Sequence, residues 1–598
     1  MQYARKRRHN ARGCRRAPFA GNKQSEKSSP DQSSVISWWK RDWAFCLILT
    51  VVTILAYQPA MHGGFIWDDD KYVTNNELLT APDGLRRIWF SLDAPSQYFP
   101  LVYTTFRIER ALWGLHPFGY HWINLLLHVA NALLVWRVLV RLNVPGAWLA
   151  GAIFALHPVQ VESVAWITER KNMLMGFFFL LTLLAWIAFI DERTKRPWRF
   201  YGLALILYVL ALSAKTTACT LPAALLLILW LQKKPINWER LLQIVPFLVL
   251  GLGMGLIAVW WERYHQGTLT VLPLTPIERI LVASRAVWFY VGKLIWPSNL
   301  TFIYPRWIIA PTRPLDYAWL LAGVALCAVI YFARRYVGRG IEVAAAFFVA
   351  TLSPVLGFIM LFTFKYTFVA DHYQYLASIG PIALASAGVA SLAGAFKRSR
   401  ELIFGMALCV VVMLAVLTWR QTAMYRDIET LWRTTIAKNP GCSMAYNNLG
   451  LASYQANRIT EAIDLFKQAL RINPDIAEAH YNLGNALLQT HRTSEAIDEY
   501  KQSLRIIPDD AAAHYNLGCA LVETGRTSEA IDHYVQALRI DPGSADAHNN
   551  LGVALGRMGR ISEAIEQLKA ALRINPNYIN AQNNLTELKA LQKTTPAK

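Results

Sequence analysis

Three carboxylates in a row, Asp68-Asp69-Asp70, follow Gly63-Gly64-Phe65-Ile66-Trp67 just past the first long apolar run, and Asn75-Asn76-Glu77-Leu78 comes shortly after. Acidic groups at a membrane exit are expensive beside lipid and favour a cavity or polar partners. Here Asp68 or Asp69 can serve as general base for an acceptor hydroxyl, or hold a divalent cation against a phosphate. A solvated helix-capping loop would carry the same charges. The loop is about 55 residues long, and structureless stretches of that length are often functional.

A second stretch reads His157-Pro158-Val159-Gln160-Val161-Glu162, then Trp166-Ile167-Thr168-Glu169-Arg170-Lys171-Asn172. His157 and Glu162 stand five apart and need not share a helix face, so they make a weak metal pair. They read equally as the stop of one helix and the cap of the next. Arg170 and Lys171 open an apolar run, where a cation suits a lipid phosphate or simply snorkels to the interface. Lys215 interrupts apolar sequence beside Ser213, Thr216 and Thr217, a setting for an anionic head group. Asp371-His372 opens a further apolar run, either as an acid–base or orienting pair or as a helix start with its dipole partner.

Positioning these groups takes helices. Apolar spans long enough for a bilayer of about 30 Å fall near 43–60, 118–140, 147–160, 172–190, 200–216, 217–232, 241–261, 315–333, 341–362, 374–395 and 401–419, eleven in all. Segment 279–297 carries Arg279, Arg285 and Lys293, and is expected to lie in the interface rather than cross. Residues 1–42 hold eleven Lys or Arg, which places the N-terminus in the cytoplasm by the positive-inside rule. Eleven crossings then put everything after 425 on the opposite side, together with the stretches just described.

From residue 440 the pattern changes. Pro440, Pro474, Pro508, Pro542 and Pro576 stand 34 residues apart, in phase with Leu449, Leu483, Leu517, Leu551 and Leu585. Gly450, Gly484, Gly518 and Gly552 keep the same step, as do Ala462, Ala496, Ala530 and Ala564. This is the tetratricopeptide signature: two antiparallel helices per repeat, small residues for close approach and Pro as a stop. Asn448, Asn482, Asn516, Asn550 and Asn584 precede the repeat leucines. Such an Asn ladder can clasp an extended peptide by its backbone, or bond neighbouring helices to each other.

The expected architecture is all-α: a basic tail 1–42, a polytopic membrane domain 43–425, a repeat superhelix 426–592 and a tail 593–598. With 54% hydrophobic residues and mean hydropathy +0.25, the chain is a membrane protein with a soluble appendage. Its net charge of +20 gathers in the tail and in short loops, so no nucleic-acid partner is expected. Seven cysteines without a CxxC imply neither a disulfide framework nor a metal site.

Taken in order, W-D-D-D, N-N-E-L-L, P-L-x-x-x-T-F-R at 100–107, H-P-F-G-Y-H-x-x-N-x-x-L-H at 116–128, H-P-V-Q-V-E-S-V-A-W-I and A-D-H-Y-Q-Y-L, followed by the repeats, resemble the transmembrane and tetratricopeptide-repeat O-mannosyltransferases and their bacterial relatives. The resemblance covers about 60–590. It implies a GT-C-type membrane domain, a first outer loop that supplies the catalytic carboxylate, and repeats on the lumenal or extracytoplasmic side of the endoplasmic-reticulum or bacterial inner membrane. It further implies transfer of a sugar from a polyprenyl-phosphate donor to a protein Ser or Thr. In that reading Asp68 or Asp69 is the base; Arg170, Lys171, Lys215 and His372 receive the donor phosphate; His157, Glu162 and Asp371 support them; and the five ladder Asn hold the acceptor. Where the family tends to carry Tyr-Arg-Pro-Leu, Ser-Lys-Glu and an acid–Arg pair, this chain has Tyr98-Phe99-Pro100-Leu101, Ser213-Ala214-Lys215-Thr216 and Asp371-His372. Two other readings remain: a non-catalytic membrane scaffold whose repeats recruit proteins, and a transferase that uses a lipid donor on a polysaccharide.

Overall fold

Long apolar runs leave a backbone in lipid only one local way to satisfy its hydrogen bonds, and the computed structural model is accordingly helical, with no strand among the described residues. Those residues are 32–91, 97–265, 274–359 and 362–594. The chain divides into Met1–Ile48 and Leu49–Lys598. Of the basic tail, residues 1–31 lie outside the described residues, as do 595–598 at the other end. The second unit holds the repeats and the apolar helices that follow Asp42–Ala56.

Among the described residues, six helices are long and apolar enough to cross a bilayer: Pro117–Arg141, Ile167–Ile190, Pro197–Ala214, Trp238–Glu262, Pro314–Val337 and Lys397–Tyr425. The other five expected spans are shorter helices, Asp42–Ala56, Ala147–Leu156, Thr216–Leu231, Gly340–Val355 and Ile379–Ala395. The ten residues of Ala147–Leu156 rise only about 15 Å, half a hydrocarbon core. Helix Pro276–Ile295 is amphipathic: Leu281, Val282, Ala283, Ala286 and Tyr290 are buried along one face. Its basic residues are satisfied locally, Arg279 donating to the Leu274 and Phe358 carbonyls and Lys293 to that of Ser298.

Burial varies widely among these helices. Every residue from 154 to 176 is buried, whereas none of Ala318–Val337 is. An apolar helix with no buried residue is at home only in lipid or against another membrane helix; 154–176 is the protein's own core.

Beyond 427 the helices pair as the 34-residue step requires. Ser443–Gln455 packs on Ile459–Ile472, and the pattern repeats through Ile579–Thr594. The repeat glycines are needed for packing. A Cβ on Gly484 would stand 2.7 Å from the Tyr500 ring, and one on Gly518 equally close to Tyr534.

The two regions meet at an aromatic joint. Trp67 stacks on Trp166 at 5.5 Å and meets Trp432 and Phe302 edge-on. The Gly64 amide donates to the Arg426 carbonyl, and Lys438 and Asn439 donate to the carbonyls of Leu300 and Ile303. The loop after the first apolar helix and the root of the repeats therefore stand on the same side of the molecule.

Candidate active site

Segment 157–172 turns rather than runs. The 3-10 turn Pro158–Gln160, the short helix Val161–Ala165 and the 3-10 turn Ile167–Glu169 lead into helix Arg170–Ile190. Successive turns aim neighbouring side chains in different directions, and this sorts the candidate residues.

Beside the segment lies a cavity of about 380 Å³. Asp68, Glu169, Lys171, Lys215 and His372 face it from the membrane domain, and Asn448 and Glu478 from the repeats. Glu169 is the hub. Its Oε1 is 2.9 Å from Lys171 Nζ and 3.9 Å from His372 Nε2, and its Oε2 is 3.5 Å from Lys215 Nζ. Asn172 braces the group: its Nδ2 donates to Glu169 Oε2 at 2.6 Å and to the His372 carbonyl at 2.9 Å, while its Oδ1 accepts from Lys215 at 2.8 Å. Glu162 holds His372 twice, accepting from its backbone N at 2.9 Å and lying 3.1 Å from its Nδ1. The Lys171 ammonium sits among the rings of Trp166, Tyr72 and Phe99, 5.4 to 5.9 Å from their centroids. The two ammoniums stand on the cavity wall, where an incoming anion can meet them, and the rings hold Lys171 without neutralising it. Phe99, where the related pattern has arginine, is one wall of this cage.

The two aspartates separate. Asp69 is fully buried; its Oδ2 accepts from the Ile66 amide at 2.8 Å, and its Oδ1 from the Thr168 amide at 2.9 Å and the Thr168 hydroxyl. Burial raises its carboxyl to about 7, although these three donors pull it down. With both oxygens occupied in a clasp between the first loop and 157–172, Asp69 does not converge with Asp68 on a cation. Among the described residues no three His, Cys, Asp or Glu side chains are placed to share a metal ion. Asp68 faces the cavity, its carboxyl raised by burial and drawn back by Lys171 and Lys71.

Arg170 is displaced from the phosphate-binding role expected of it. Side chains one residue apart on a helix point about 100° apart, so with Lys171 on the cavity Arg170 faces the core. There it is fully buried, paired with Glu109 and donating to Asn124 Oδ1 and the Tyr120 carbonyl. His157 also lies off the cavity. Its Nε2 meets the Leu294 carbonyl at 3.0 Å and its Nδ1 accepts from the Val159 amide, which caps the turn it precedes. Asp371 is buried under the site, accepting from the Tyr304 hydroxyl at 3.0 Å, and is pushed well above the usual range by burial and then by Glu162.

The ladder asparagines mostly turn to each other's repeats. Asn482 donates to Asn447, Asn516 to Tyr481 and Asn485, Asn550 to Tyr515, and Asn584 to Asn549. Asn448, on the first repeat, lines the cavity.

Residues 450–490, 492–525 and 518–559 match the TPR repeat family model, and 545–578 the Tetratricopeptide repeat model. Across most of its length the chain is similar to the protein O-mannosyl-transferase F38B6.6 of Caenorhabditis elegans, 24% identical over 430 residues, which cover 68% of this chain and 59% of that protein. Human protein O-mannosyl-transferase TMTC4 is 24% identical over 470 residues, covering 68% and 63%. The chain is thus similar, over about two thirds of its length, to the TMTC protein O-mannosyl-transferases. It spans about three fifths of the length of these two curated relatives, 59% and 63%. Mouse TMTC2 is 30% identical over 168 residues, 26% of this chain and 20% of that one. Among solved structures, the TPR protein YrrB is 22% identical with a TM-score of 0.26, over 28% of this chain and 85% of its own.

Sequence reasoning passed over Glu169 and Asn172. The available signal was an ionisable residue inside an apolar stretch, which is costly unless partnered. Glu169 was masked by the two cations that follow it.

Proposed function

We propose that this chain is a membrane glycosyltransferase that moves a sugar, mannose by analogy with its relatives, from a polyprenyl-phosphate donor to Ser or Thr hydroxyls of a protein acceptor. The observation that carries the reading is that Asp68 and the Lys171–Glu169–Lys215 group face one cavity at the foot of the repeats.

The chemistry follows from the charges. The acceptor oxygen attacks the anomeric carbon as the bond from that carbon to the donor phosphate breaks. The polyprenyl phosphate leaves with the bonding electrons, and the hydroxyl proton passes to Asp68. Charge that grows on the departing phosphate oxygen meets Lys171 and Lys215, fixed in advance by Glu169 and Asn172, so little reorganisation is needed as it develops. His372, held by Glu162, borders the same space. The base role goes to Asp68 because Asp69 is spent on its three donors. The repeats and the first loop stand together, and the basic N-terminal tail supports an extracytoplasmic or lumenal position for both. A reporter fused after residue 425 is expected on that side; a cytoplasmic signal would separate the site from such acceptors.

The test is reconstitution in liposomes with polyprenyl-phosphate mannose and Ser/Thr peptides, read by mass spectrometry. Wild-type protein is expected to transfer the sugar and Asp68→Asn to fail while still binding donor. Undiminished transfer by that variant would remove the first loop from the chemistry, and no transfer by the wild type would favour the scaffold.

A further inference from the structure

The cavity has an acidic group on its repeat side that the transfer chemistry does not use. Glu478 stands in the first turn of helix Ala477–Gln489, is solvent-exposed, and lines the cavity together with Met444 and Asn448. Among the described residues no cation lies within ion-pair distance of it, whereas Glu429, Glu461, Glu495, Glu529 and Glu563 each hold an arginine.

Position within the repeat argues against a structural role. One step of 34 before and after Glu478 are Met444 and Ala512, followed by Asp546 and Asn580. The residues that build the superhelix keep their type at this interval; this phase does not. The two members of the phase nearest the membrane domain, Met444 and Glu478, are those that reach the cavity. A carboxylate in the first turn favours the helix dipole, but Ala477–Gln489 keeps its length and form in Ala511–Glu523, where alanine occupies the place.

Glu478 and Asp68 also act on a common neighbour. The Tyr366 phenol, on the cavity wall, is raised to about 12 by burial first, with both carboxylates acting on it as well. Asp68 and Glu478 line the same cavity, so a peptide that presents a hydroxyl to Asp68 enters the space that Glu478 borders.

We infer that Glu478 selects acceptor peptides with a Lys or Arg within a few residues of the hydroxyl that receives the sugar. The inference rests on the transfer reading of the cavity. An exposed carboxylate with no partner of its own gains by meeting a cation brought by the ligand, and an acidic side chain there would be repelled.

The full chain in nanodiscs is titrated with fluorescent peptides that are identical except for Lys, Gln or Glu on either side of one Thr. Wild-type protein is expected to bind the Lys peptide about 1.5- to fivefold more tightly than the Gln peptide, the range of an exposed charge pair. The preference should fade near 1 M salt, where screening acts within about 3 Å. Glu478→Gln should erase the preference, Glu478→Lys should turn it toward the Glu peptide, and Asp546→Asn, at the same repeat phase away from the cavity, should leave it intact. Equal binding of the three peptides by wild type, or a preference that survives Glu478→Gln, overturns the inference. Charge-selective binding without sugar transfer would overturn the transfer reading and, with it, the acceptor role of these peptides, leaving Glu478 a selector of basic peptides only.

Discussion

The segment 157–172 and the repeat superhelix both bury polar side chains, but they find partners in different ways. In the first, the partners lie far off in sequence: Thr168 meets Asp69 across 99 residues, Asn172 meets His372 across 200 and His372 meets Glu162 across 210. In the second, Asn482, Asn516, Asn550 and Asn584 each bond 35 residues back. A polar network assembled from distant elements can hold one unusual charge arrangement. A repeating one can only hold a shape, and its function has to come from residues that break the repeat.

The contrast can be tested from its strongest effect downward. Asp68→Asn should lower sugar transfer by roughly 10²- to 10⁴-fold, the usual worth of a positioned base, with unchanged thermal stability. Because burial raises the Asp68 carboxyl, and the base must be ionised to work, transfer in wild type should fall with decreasing pH at values above the ordinary aspartate range. A pH–rate profile with its acid limb at the usual place would argue for a different base.

Glu169→Gln comes next. It leaves Lys171 and Lys215 without their shared carboxylate in a largely buried setting, and should destabilise the membrane domain by about 3 kcal/mol. Thermal unfolding of the purified chain measures this, and a stability equal to wild type would mean the lysines are solvated through the cavity. A smaller effect is expected in the repeats. Gly484→Ala puts a methyl 2.7 Å from the Tyr500 ring and should cost about 2 kcal/mol, visible as earlier loss of helical circular dichroism from the superhelix while donor binding persists. Smallest is Asn516→Ala, which removes bonds to Tyr481 and Asn485 and should cost about 1 kcal/mol. If that variant instead loses peptide affinity without losing stability, the ladder is a binding surface after all.

Much of the fold was open to inspection in the chain. A step of 34 with Gly, Ala and Pro in register has one common structural solution, since each contact it implies is local or lies in the next repeat. Apolar runs announced helices at all eleven expected places, and the charges of 279–297 marked the amphipathic helix Pro276–Ile295. How many of those helices cross was not legible, because hydropathy reports what a segment tolerates and helix length depends on where turns such as His157-Pro158 interrupt it. The site was legible as a set of stretches: W-D-D-D, the H-P-V-Q-V-E run and Asp371-His372 do come together.

Within each stretch, spacing could not say which residue faces the cavity. Asp68 and Asp69 are adjacent, as are Arg170 and Lys171, and in each pair one member lines the cavity and the other is locked in the core. The sequence by itself determined that the protein is helical, membrane-embedded and repeat-bearing, because chain composition and period act through local hydrogen bonding and the cost of polar groups in lipid. Only the tertiary structure decided the chemistry of each charged group, because side-chain direction turns by about 100° per helical residue and the partners that neutralise or activate a charge arrive from elements up to about two hundred residues away.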